Sequence, residues 1–73
     1  MGEYETTYGV VGMTCAHCVQ AVTGELMSLP GVHNVAIDLV VGGTSAVHVR
    51  SDAPLTGDSV RAAVDEAGYE LTS

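Results

Sequence analysis

An α+β fold, a two-layer sandwich, is what this sequence predicts, and three observations predict it. Two segments carry apolar residues at helical spacing, four shorter ones read as strands, and the two kinds follow one another in the order βαββαβ. Seventy-three residues leave room for one domain, spanning residues 1–73, near the size at which a single core is only marginally stable. With 47% hydrophobic residues but neither Trp nor Phe, that core must be built from Val, Leu, Ile and Ala.

Thr6 to Val11 reads as the first strand, with Tyr8 and Val10 on one face, and it ends at Gly12. From about Ala16 to Ser28, Val19, Val22, Leu26 and Leu29 recur at intervals of three, four and three, the stripe of a helix packed on one side. Leu29-Pro30-Gly31 closes this helix, because the residue before a proline avoids the helical region and glycine permits the turn. Gly24 inside it costs about 1 kcal/mol relative to alanine, which points either to a close neighbour or to simple tolerance. Val32 to Leu39 alternates, placing Val35, Ile37 and Leu39 on one face. Gly42-Gly43 is a hairpin signal before Thr44 to Arg50, where Val47 and Val49 point inward. Thr56 or Asp58 caps a second helix in which Val60, Ala63, Val64 and Ala67 share a face, and Gly68 terminates it. Tyr69-Glu70-Leu71 is a short last strand. Both helices then cover one face of a four-stranded antiparallel sheet, the ferredoxin-like arrangement.

Charge narrows the function. Nine carboxylates against two arginines and no lysine give a formal charge of −7, which disfavours a nucleic-acid partner. The acidity is either a solubility feature or a means of steering a partner. No secretory signal is visible at the amino terminus, and no apolar stretch approaches the roughly 20 residues of a membrane span. A cytoplasmic protein without membrane insertion is expected. Residues 1–6 fit a myristoylation pattern, but their acidic flank opposes binding to an anionic membrane. In a reducing compartment the two cysteines serve better as metal ligands or redox thiols than as a disulfide.

Those cysteines carry the chemistry. Gly12-Met13-Thr14-Cys15-Ala16-His17-Cys18 sets two thiols three positions apart between a strand and a helix. Two soft thiolates at that spacing can converge on one soft metal ion. The helix start beside them supplies unpaired N–H groups and a positive dipole end, which favour the thiolate form that binds metal. A bare C-x-x-C is ambiguous between metal sites and redox loops. A structural zinc site usually needs four ligands, and His33 and His48 sit on the second and third strands with no obvious spacing to the loop. A thioredoxin-like fold needs a longer chain.

Together with Leu29-Pro30-Gly31-Val32, Val35-Ala36-Ile37-Asp38-Leu39 and Ala67-Gly68-Tyr69, the cysteine loop resembles the heavy-metal-associated domain family over nearly the whole chain. The resemblance implies Cu(I) bound by Cys15 and Cys18, with no enzymatic activity, and is strongest to the family's free bacterial copper chaperones of the CopZ type. It implies delivery by thiolate exchange to the metal-binding domain of a copper-transporting P-type ATPase, or to a copper-responsive repressor. Domains of such ATPases and mercuric-ion-binding proteins share the pattern and are the alternatives. Thr14, where the zinc-exporting branch often carries Asp, resembles the copper branch. Met13 is a conceivable thioether ligand, but the family uses it as packing beneath the loop. Tyr69 resembles a residue that shields the metal or hydrogen-bonds a sulfur, though by periodicity alone it is an ordinary strand residue. His17 is left open between ligation, tuning of the thiols or a copper-bridged homodimer, and neither. His33, His48 and Tyr4 are expected on the surface. Glu25, Asp65 and Glu66 place the acidic side of any docking pair on this chain.

Overall fold

The computed structural model describes residues 3–72, so the Met1-Gly2 end of the myristoylation pattern lies outside the described residues. The element order is β1 (Tyr4–Val11), α1 (Ala16–Met27), β2 (Val32–Asp38), β3 (Thr44–Ser51), α2 (Gly57–Glu66) and β4 (Glu70–Leu71). The strands form one antiparallel sheet in the order β2-β3-β1-β4. This is the expected ferredoxin-like sandwich.

One core joins the layers. Val22 and Leu26 from α1 and Val60, Ala63 and Val64 from α2 meet Val10 of β1 and Val47 and Val49 of β3, all at most 5% exposed. Tyr8, Val35, Ile37, Leu29 and Ala67 pack against its margin, as their spacing predicts. His48 belongs to the opposite, open face, where Nδ1 lies 3.0 Å from Thr7 Oγ1 and Nε2 lies 3.4 Å from Asp38 Oδ2. His33 sits between Glu3 and Asp52, 3.5 Å from each carboxylate.

Several boundaries move for identifiable reasons. β1 starts two residues earlier than the apolar pattern suggests, because Tyr4 and Glu5 find partners in Ser51 and Arg50 of the long β3. Leu39 is not an inward strand residue: β2–β3 pairing ends at Asp38↔Ala46, and Leu39 is left 36% exposed. A Cβ at Gly24 would meet nothing within 4 Å, so the glycine is tolerated rather than required. Thr56, not Asp58, caps α2, its Oγ1 accepting the Ser59 N–H at 3.2 Å.

The end of α2 matters for the site. Gly68, with φ +91°, lets its own N–H reach the Asp65 carbonyl at 2.9 Å while the Tyr69 N–H reaches the Val64 carbonyl at 3.1 Å. This paired Schellman closure holds Tyr69 in the turn before β4 rather than in the strand.

Candidate metal centre

β1 ends at Val11, and Gly12 turns the chain with φ +98°, a conformation that costs a side-chain-bearing residue strain. A Cβ at Gly12 would stand 3.4 Å from Tyr69 Cδ1, which places the Tyr69 ring beside this turn. Met13 then turns inward, 1% exposed, and anchors the loop in the core. Thr14 and Cys15 stay on the surface above it.

Cys15 is the N-cap of α1, with extended backbone at φ −158° and ψ 176°. Serine or aspartate at an N-cap folds its side-chain oxygen back onto a helix N–H, whereas the Cys15 side chain makes no such bond. Its sulfur is therefore available to a ligand. Its carbonyl accepts the N–H groups of Cys18 at 3.1 Å and Val19 at 3.3 Å, which fixes the first turn and with it the separation of the thiols. The sulfurs lie 3.6 Å apart. That is far beyond a disulfide bond of about 2.05 Å, and both cysteines are free. The separation is short enough for one soft ion to take both sulfurs as ligands.

Thr14 Oγ1 lies 3.8 Å from the Cys18 sulfur, and the Tyr69 hydroxyl, in the turn after α2, is near enough to act on the ionisation of the same thiol. The Cys18 thiol is brought down from 9.0 to about 6: hydrogen bonding from the Thr14 backbone, not its hydroxyl, does most, then the Tyr69 side chain, while partial burial opposes them. Tyr69 responds in the opposite sense. A hydroxyl that hydrogen-bonds to a thiolate holds its proton more tightly, so its own ionisation is pushed up.

The structure thus gathers Cys15, Cys18, Thr14 and Tyr69 at one point, with Met13 packed beneath. His17 is exposed in the first turn of α1, and no hydrogen bond among the described residues ties it to either sulfur. Among the described residues no group of three or more His, Cys, Asp or Glu side chains is placed to hold a metal ion. The candidate site is a pair of thiols.

Residues 7–70 match the heavy-metal-associated domain family. The chain belongs to that family. Among its relatives the COP-associated protein of Helicobacter felis is 37% identical over 62 residues, covering 85% of this chain and 89% of that protein. A CopZ metallochaperone superposes with a TM-score of 0.80 at 27% identity, covering 94% of this chain and all of that one. The yeast copper transporter domain Ccc2a, solved in apo and Cu(I)-loaded states, superposes with a TM-score of 0.76 at 30% identity over 94% of each chain. Human Copper-transporting ATPase 2 is 29% identical over 92% of this chain, which spans only 4% of that ATPase.

Spacing alone singles out the cysteine pair but not what lowers one thiol. Tyr69 lies 51 positions beyond Cys18 in the sequence, and only the family resemblance points to it. The part played by the Thr14 backbone has no side-chain signature at all. Tyr69→Phe removes the hydroxyl but keeps the ring, so the Cys18 thiol should move up toward 9.0. The check is the pH profile of iodoacetamide alkylation at Cys18, whose midpoint near 6 in the unaltered protein should rise in the variant. An unchanged midpoint would remove Tyr69 from the site.

Proposed function

We propose that this chain is a cytoplasmic, non-enzymatic Cu(I) carrier that holds the ion on the Cys15 and Cys18 thiolates and hands it to the metal-binding domain of a copper-transporting P-type ATPase. The observation that carries this reading is the thiol pair itself, free of a disulfide and 3.6 Å apart, Cys15 exposed and Cys18 half-buried, with no third ligand group assembled around it among the described residues. Soft, closed-shell Cu(I) accepts two or three thiolates, whereas a structural zinc ion calls for four ligands. The Cu(I)-loaded state of the yeast Ccc2a domain and the name of human Copper-transporting ATPase 2 support the same cargo. The absence, among the described residues, of any helix long and apolar enough to cross a membrane is consistent with a carrier role.

Transfer follows from the position of the thiol pair on a surface loop. An incoming partner thiolate forms a third sulfur–copper bond, one bond to Cys15 or Cys18 breaks, and a second partner thiolate then binds the ion before the remaining bond breaks. The copper remains Cu(I) throughout and is never released to water. Cys15 is the more exposed of the pair and the natural first ligand to leave, while Cys18 is held by Thr14 and Tyr69. A copper-responsive repressor with a similar thiolate site could receive the ion in the same way.

The acidic surface sets the polarity of docking. Asp65 and Glu66 close α2, immediately before the turn that carries Tyr69, whereas Glu25 lies seven residues along α1 from Cys18, about 10 Å down the helix axis. Stopped-flow copper transfer to the cognate ATPase domain should therefore slow as salt rises, because exposed charges act only within about 8 Å at physiological ionic strength. Reversal of Asp65 or Glu66 to Lys should slow transfer at low salt more than reversal of Glu25. Equilibrium copper affinity should stay unchanged in all three. Rates indifferent to salt and to reversal would make the acidity a solubility feature, and no transfer at all would refute the carrier function.

A further inference from the structure

Five large apolar side chains are conspicuously exposed among the described residues, and three of them, Leu39, Val40 and Val41, are consecutive in the β2–β3 turn, at 36%, 46% and 65% exposure. Scattered apolar residues on a surface need no explanation, but a contiguous group does. The turn that presents them is tightly built. Ser45, fully buried, accepts the Val40 N–H at 2.9 Å and donates to the Val40 carbonyl at 3.5 Å. The Gly43 N–H reaches the same carbonyl at 3.2 Å. Gly42 takes φ +78°, and a Cβ on Gly43 would come within 2.9 Å of Val40 Cγ1. The apolar tip is thus held outward by its own backbone.

Its position follows from the strand register. Val11, the last residue of β1, pairs with Thr44 at the start of β3 and with Glu70 of β4. The tip, the cysteine loop and the Tyr69 turn therefore all lie at one end of the sheet. β1 neighbours β3, so the tip is one to two strand spacings, about 5–10 Å, to the side of the strand that feeds the thiols. A protein whose own thiolates share a copper ion with Cys15 and Cys18 must bring its surface against this end. A specific interface covers about 800 Å² per partner, a patch roughly 16 Å in radius. Such a patch spreads over the tip.

We propose that Leu39, Val40 and Val41 form the apolar centre of the copper-transfer interface, and that the occupant is the thiolate-bearing domain that receives the ion. This rests on the transfer function proposed above. The chemistry asked of the partner is an apolar patch beside its own cysteine loop, with cations at the rim to meet Asp65 and Glu66. Charge then governs how fast the two proteins meet, and the tip governs how long the encounter lasts.

The test compares the unaltered chain, Val40→Ser/Val41→Ser and Val41→Ser alone in stopped-flow Cu(I) transfer to the cognate ATPase domain. Copper affinity and unfolding midpoint are measured on the same samples, and the single variant, at the most exposed position, serves if the double variant is misfolded. The expected result is transfer slowed about ten-fold in the double variant, with the salt slope and copper affinity unchanged because no charge or ligand is touched. Equal transfer rates would overturn the tip's role while leaving the carrier function intact. Failure of the unaltered chain itself to transfer would overturn the carrier function, and the tip's role with it. Equal rates together with a copper-loaded dimer, seen by sedimentation and lost in the variants, would assign the tip to a second copy of the chain instead.

Discussion

Serine at either position 15 or 18 is expected to weaken Cu(I) binding by about 10²–10⁴-fold, the size of the advantage that a second tethered ligand confers. The two sulfurs are held 3.6 Å apart by the first turn of α1, so the second thiolate closes on the ion without ordering any new segment. With one thiolate left, the loop competes with cellular thiols as an ordinary monodentate ligand. A serine hydroxyl does not replace the lost sulfur, being a hard and protonated donor for a soft ion. Competition against a chromophoric Cu(I) chelator measures the loss directly. Affinity close to that of the unaltered chain in either variant would refute the thiolate pair as the site.

Met13→Ala should act on the other side of the loop. Met13 is 1% exposed within the core, and deleting a buried Met side chain typically costs about 2–5 kcal/mol. A domain of 73 residues has roughly 4–11 kcal/mol to lose, so this one substitution removes a large part of its stability. Chemical denaturation of the copper-free protein should show the full loss. Copper that binds only the folded form should offset part of it in the loaded protein. Affinity at a fixed, native condition should change little, because the thioether is directed into the core. A collapse of affinity with stability preserved would make Met13 a ligand.

Periodicity located both helices and the core because each helix buries a single stripe: Val22 and Leu26 on α1, and Val60, Ala63 and Val64 on α2, were all legible from spacing. The same logic failed at Leu39. Alternation continues past Asp38 in the sequence, but the ladder does not, since Val40 N–H turns to the Ser45 hydroxyl instead of to a strand. Tyr69 is the counterpart in the candidate site. Alternation puts it in the last strand, whereas the closure at Gly68 holds its backbone in the turn and turns its side chain to Cys18. The cysteines themselves were legible because metal chelation by a loop demands short spacing. What lowers the Cys18 thiol was not, because it depends on a backbone group and on a residue brought back by the whole α2–β4 connection.

Copper K-edge X-ray absorption on the protein loaded with one equivalent of Cu(I), beside Cys15→Ser and Cys18→Ser, tests the two-thiolate centre most directly. The account predicts a first coordination shell of sulfur alone in the unaltered chain, two sulfurs per copper with a third only when exogenous thiol is present, and a shell reduced to one protein sulfur in each variant. A nitrogen shell from His17, or an unchanged sulfur shell in either serine variant, would contradict it.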